Sequence, residues 1–183
     1  MKLGAPVLRG VIGGLFIGHG TQKLFGWFGG PGLTGTTGMM EKLGMRPPRR
    51  HALLVGAGEA GGGALLALGA LTPLATAVLT GSMTTAIRKV HAANGPWVTQ
   101  RGWEYNAVLI AALTALAEHG PGSPSVDAAA FPRLRGTGWA LASVAAGVAG
   151  SYLASSPPFN EPEPIVEPTG RFTRVEEPAT VNG

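Results

Sequence analysis

Apolar residues along this chain gather in blocks rather than in a one-sided repeating stripe. Stretches such as Ala64 to Leu71, Leu74 to Leu79 and Ala107 to Ala117 contain no charged residue, which a helix with one wet face does not tolerate repeatedly. The blocks predict membrane spans over Val7 to Phe28, Ala52 to Leu71, Leu74 to Ala93 and Arg101 to Glu118. Each is near the ~20 residues that cross ~30 Å of hydrocarbon, the third and fourth only with their polar ends included. A fifth, weaker candidate runs from Thr137 to Ser155 and is rich in Ala, Gly and Ser. Only Thr72 and Pro73 separate the second and third spans, so those helices are antiparallel neighbours. The longer segment Gly29 to Arg50 sets Met39, Met40, Leu43 and Met45 among Glu41 and Lys42, the pattern of a short interfacial helix. The expected fold is therefore all-α, a transmembrane bundle of four core helices with a fifth, weaker helix. Residues 1–128 form the four-helix unit and 129–156 hold the fifth helix. Repeated Pro and Glu without an apolar period predict a disordered tail over 157–183.

Glycine and charge refine this picture. Gly10, Gly14 and Gly18 recur every four residues, as do Gly58 and Gly62, a spacing that lets helix backbones approach closely in lipid. Charged residues make up only 13% of the chain, about half the soluble norm. The net charge of +4 hides a split, because five Glu against Arg171 and Arg174 leave the tail at −3 and the remainder at +7. Placing the amino terminus outside puts ten of the fourteen Lys and Arg on the cytoplasmic side, the sense of the positive-inside rule. Basic residues do not alternate with aromatics in any recognisable motif, so nucleic acid is not an expected partner. Lys2 and Arg9 precede the first apolar run without a small-x-small cleavage pattern after it, which predicts an uncleaved span. Cysteine is absent, so thiolate metal sites and thiol catalysis by this chain are excluded.

The polar residues inside the apolar blocks carry the candidate chemistry. Glu59, within Gly56-Ala57-Gly58-Glu59-Ala60-Gly61, is costly to hold in lipid without a partner. Counting 1.5 Å per residue from the shared membrane face puts His19 at ~13 Å depth and Glu59 at ~12 Å, so the two are expected to meet. Gln22 and Lys23 share the helical face of His19, so Glu59 is expected to be held near both His19 and Lys23. Thr84, Arg88 and His91 return to that side on the third span, and Glu104 opens the fourth. His19, Lys23, Glu59, Arg88, His91 and Glu104 are thus expected to converge on one end of the bundle. Two readings remain open for them: charge pairs that lock helix order, or a polar pocket for a headgroup, a quinone or a proton. Trp97, Trp103 and Tyr105 fit an aromatic belt. No His pair has metal-ligand spacing with a nearby carboxylate, and no Ser sits in a nucleophile elbow.

The run Gly14-Leu15-Phe16-Ile17-Gly18-His19-Gly20-Thr21-Gln22-Lys23-Leu24-Phe25 resembles the first-helix signature of the DoxX family of small bacterial membrane proteins. Glu59 with its glycines, Ala86-Ile87-Arg88 to His91, Gly102-Trp103-Glu104-Tyr105-Asn106, and Gly120-Pro121-Gly122 with Asp127 continue the resemblance in order, over about residues 7 to 128. The resemblance implies a multi-pass protein of the bacterial plasma membrane belonging to a redox or sulfur-linked oxidative-stress system. Related archaeal proteins are subunits of a thiosulfate to quinone oxidoreductase. Mycobacterial members are linked to a superoxide dismutase and a sulfurtransferase. The cofactor is left open, with a quinone as the candidate, and His19, Lys23, Glu59, Arg88 and Glu104 match family positions; which residues are catalytic is not fixed by the resemblance. Two other functions compete with it: a non-catalytic scaffold that recruits soluble redox enzymes, and a small carrier of protons or acids working through His19 and Glu59.

Overall fold

The computed structural model describes residues 3–162 together with 165–166 and 172–173, so most of the Pro- and Glu-rich tail lies outside the described residues. Helices dominate in the order α1 (Gly4–Phe25), α2 (Gly32–Lys42), α3 (Pro48–Leu68), α4 (Thr72–Ala86), α5 (Glu104–His119), α6 (Val126–Ala130) and α7 (Thr137–Leu153). The only strands among the described residues are Ile165–Val166 and Phe172–Thr173, an antiparallel pair in the tail.

Helix ends sit where the sequence chemistry stops them. α1 ends at Gly26, whose left-handed backbone (φ 74°) lets its N–H donate to Gln22 O. α3 begins with Pro48 and ends at Gly69 (φ 60°), where Gly69 N donates to Leu66 O and Ala70 N to Leu65 O. Those two bonds form a Schellman cap. The α3–α4 connection is therefore Gly69–Leu71, and Thr72 and Pro73, expected as the link, form the first turn of α4. α4 continues past Ala86 into a π-helical turn over Ile87–His91.

α1 packs along α3, α3 along α4, and α4 along both α5 and α7, while α2 covers the ends of α1 and α3. Ile12, Phe16, Leu66, Leu79, Met83, Leu113 and Leu116 from α1, α3, α4 and α5 form the main core. These are the four expected core helices, with α7 as the fifth. Val7, Val11, Leu15, Leu74, Val108 and Leu141 point outward and exposed, an apolar exterior suited to lipid. Among the described residues, α3 is the one helix long and apolar enough to cross a membrane by length and composition alone. α4, α5 and α7 have 15, 16 and 17 residues, short of the ~20 that a span needs unaided.

The glycines that bring α1 against α3 are not the ones the four-residue spacing predicted. A Cβ at Gly13 would lie 2.6 Å from Gly63 O, and one at Gly20 2.6 Å from Gly56 O. Gly10, Gly14 and Gly18 have open space around them. The working period is seven, Gly13 with Gly20 facing Gly56 with Gly63, as in a pair of helices crossing at a shallow angle.

Candidate functional site

The close α1–α3 contact decides what Glu59 meets. Glu59 projects from the middle of α3 and is 3% exposed. Its carboxylate forms an ion pair with Lys23 Nζ through Oε2, and Oε1 accepts a 2.7 Å hydrogen bond from Ser82 Oγ on α4. This is the sole ion pair among the described residues. A buried carboxylate is tolerable when a cation and further hydrogen bonds satisfy it, and Glu59 has both.

His19, expected as a direct partner, instead shares a 3.1 Å hydrogen bond with Gln22 Oε1 one turn along α1. Depth counted along a helix does not fix rotation about its axis. At ~100° per residue, Lys23 lies about 60° from the Gly20 line that faces α3, whereas His19 lies about 100° from it. The flexible Lys23 stem then reaches back to the carboxylate.

A cavity of about 810 Å³ opens beside this pair. One part of its wall comes from Phe16, His19 and Lys23 of α1, Glu59, Ser82 and Met83, and Tyr105, Asn106 and Leu109 of α5, with His91 and Arg101 also lining it. Much of the rest of the lining is apolar: Met39, Met40, Leu43 and Met45 at α2, Leu54 and Val55 of α3, and the small residues Ala146, Gly147 and Gly150 of α7. His51, one residue ahead of the predicted second span, is a buried α3 residue that also lines the cavity and donates from Nε2 to Arg46 O at 3.1 Å.

Of the six residues expected together, His19, Lys23, Glu59 and His91 line the cavity, while Arg88 and Glu104 do not. Arg88 turns toward α7, donating to Ser151 O at 3.0 Å and Ser151 Oγ at 3.1 Å, with its guanidinium 3.6 Å from the Tyr152 ring centroid. The wider π-helical step over Ile87–His91 separates Arg88 from His91, which an uninterrupted α-helix would have kept on one face. Glu104 accepts a 2.6 Å hydrogen bond from Val98 N and holds the turn before α5. His91 shares a 2.6 Å hydrogen bond with Arg101 O.

Polar chemistry also gathers at the opposite end. Arg9 is 8% exposed and donates to three backbone carbonyls, Pro121 O at 2.9 Å and also Ala67 O and Pro124 O. Asp127 accepts from Leu71 N at 2.7 Å, Thr72 N at 2.8 Å and Thr72 Oγ1 at 2.6 Å, capping α4. This end is a fastening between loops and helix termini.

Ser82 and Asn106 were not assigned to the site from sequence. Ser82 was within reach of the same counting: Glu59 lies ten residues before Gly69, and Ser82 ten after Thr72, across one short turn. Asn106 lies beside Glu104 and Tyr105 in a stretch already singled out, but only the helix geometry shows its side chain buried at the cavity wall.

No curated protein and no solved structure matches the chain. A family model does match: DoxX, over residues 4–92. The matched stretch ends at the π-helical turn, so α5 with Glu104 and Asn106, the Asp127 cap and α7 lie beyond it. It nevertheless contains Lys23, Glu59, Ser82 and the glycine contact that brings them together, and by this match over residues 4–92 the chain belongs to the DoxX family of membrane proteins.

Proposed function

We propose that this protein crosses the bacterial plasma membrane several times and binds a lipid-soluble quinone in the cavity, as the membrane component of a redox or sulfur-linked oxidative-stress system. The observation that carries the reading is a cavity with long apolar walls that meet one compact polar group, Lys23–Glu59–Ser82. A quinone is a ring bearing carbonyl acceptors on an isoprenoid chain. The methionine and small-residue wall suits the chain, and Lys23 or Asn106 can donate to the ring oxygens. The chain has no Cys, so a cluster held by thiolates must belong to a partner; soluble enzymes such as a superoxide dismutase or a sulfurtransferase are proposed for that role.

Purification in mild detergent followed by solvent extraction and mass spectrometry should recover quinone at a fixed ratio to protein. Added decylubiquinone should bind saturably, and Glu59→Gln should weaken that binding. Protein that retains no quinone and shows no saturable uptake refutes the reading. If a soluble redox enzyme co-purifies from such quinone-free protein, a scaffold role replaces it.

A further inference from the structure

Asn106 is 7% exposed, lies in the first turn of α5 and lines the cavity. A buried amide ordinarily spends its polar atoms on protein partners, because each unpaired one forfeits the hydrogen bond it had in water. Here Nδ2 donates to Met83 Sδ at 3.2 Å, a thioether and therefore a weak acceptor, and among the described residues no hydrogen bond reaches Oδ1. Reversing the amide would turn Oδ1 toward the sulfur, which has no proton to give. Oδ1 is unpaired yet not fully buried, and on a residue that lines the cavity it is open to that space; Met83 follows Ser82 on α4, and the Ser82 hydroxyl is already committed to Glu59.

We infer that Asn106 Oδ1 is the acceptor that selects the polar head of the occupant, and that the site prefers a ring bearing a hydroxyl, the hydroquinone, over the oxidised quinone. This rests on the quinone reading of the cavity. A quinone carbonyl has lone pairs but no proton, so it leaves Oδ1 unpaired and sets two acceptors against each other. A hydroquinone hydroxyl donates to Oδ1 and can still accept from Nδ2 or from Lys23. The difference is one hydrogen bond made or left unmade in a water-poor site, which corresponds to about tenfold in affinity.

The test is anaerobic titration of the purified full chain in detergent with decylubiquinone and with its chemically reduced quinol, for wild type, Asn106→Leu and Asn106→Ala. The expected result is that wild type binds the quinol about tenfold more tightly. Both variants should bind the two forms alike, with the loss falling mainly on the quinol. Thermal midpoints without ligand should change little, since the amide's one protein bond is to a sulfur. If wild type binds both forms equally or favours the quinone, the inference is overturned while the quinone reading stands. If it favours the quinol and both variants keep that preference, Asn106 is not the selecting residue. If wild type binds neither form, the quinone reading itself falls and this inference goes with it.

Discussion

Replacing Lys23 by Met keeps the length and apolar stem of the side chain and removes only its charge. Glu59, 3% exposed, would then retain a single neutral partner, Ser82 Oγ at 2.7 Å. Breaking a buried pair from one side costs about 3–5 kcal/mol because it strands the other charge. Glu59→Gln is milder. The glutamine oxygen can still accept from Ser82, and Lys23, whose side chain is 20% exposed, can swing its ammonium toward the surface; a cost of about 1–2 kcal/mol follows from one lost charged hydrogen bond. In the double variant neither charge is stranded, so its loss should fall short of the summed singles by at least about 1.5 kcal/mol. The matching cycle with His19→Ala and Glu59→Gln should be additive within about 0.5 kcal/mol, because His19 bonds to Gln22. Thermal or denaturant unfolding in one fixed detergent reads all of these. Additivity in the Lys23 cycle, or coupling as large in the His19 cycle, refutes the assignment of partners.

Gly13→Ala should cost about 1–3 kcal/mol by overpacking, since its Cβ would stand 2.6 Å from Gly63 O, whereas Gly14→Ala, in open space, should be neutral or slightly stabilising; equal thermal midpoints for the two would contradict the seven-residue contact. Asp127→Asn replaces an acceptor of three hydrogen bonds by a group that can turn an NH₂ toward those donors. A loss of about 1–2 kcal/mol is expected from the weakened α4 cap, visible as a lower melting point by circular dichroism. Topology can be read with an impermeant maleimide on intact cells because the chain has no Cys. With the amino terminus outside, Ser123→Cys should be labelled and Glu41→Cys protected, both positions being exposed on the protein; the opposite pattern would invert the orientation.

The sequence was most legible where one physical rule acted alone. Long uncharged blocks located α1, α3, α4, α5 and α7, and Gly26 and Gly69 mark helix ends because few other residues adopt a left-handed backbone at so little cost. It was least legible wherever rotation about a helix axis mattered, because depth comes from counting while azimuth comes from packing. The seven-residue glycine pair turns one side of α1 onto α3 and thereby chooses Lys23 over His19 for Glu59. The four-residue repeat of Gly10, Gly14 and Gly18, equally visible in sequence, points elsewhere and meets nothing among the described residues. The π-helical turn does the same to Arg88 and His91, sending one to α7 and leaving the other at the cavity. Asn106 shows the remaining gap. Its neighbours Trp103, Glu104 and Tyr105 attract attention through charge or aromatic surface, but a neutral amide becomes informative only when its burial and its missing partner are both known. The polar end of this bundle therefore works as two linked units. The Lys23–Glu59–Ser82 group is satisfied within the protein and can hold its geometry without a ligand. Asn106 is not satisfied, so selection of an occupant is expected to fall on α5, outside the stretch that places the chain in its family.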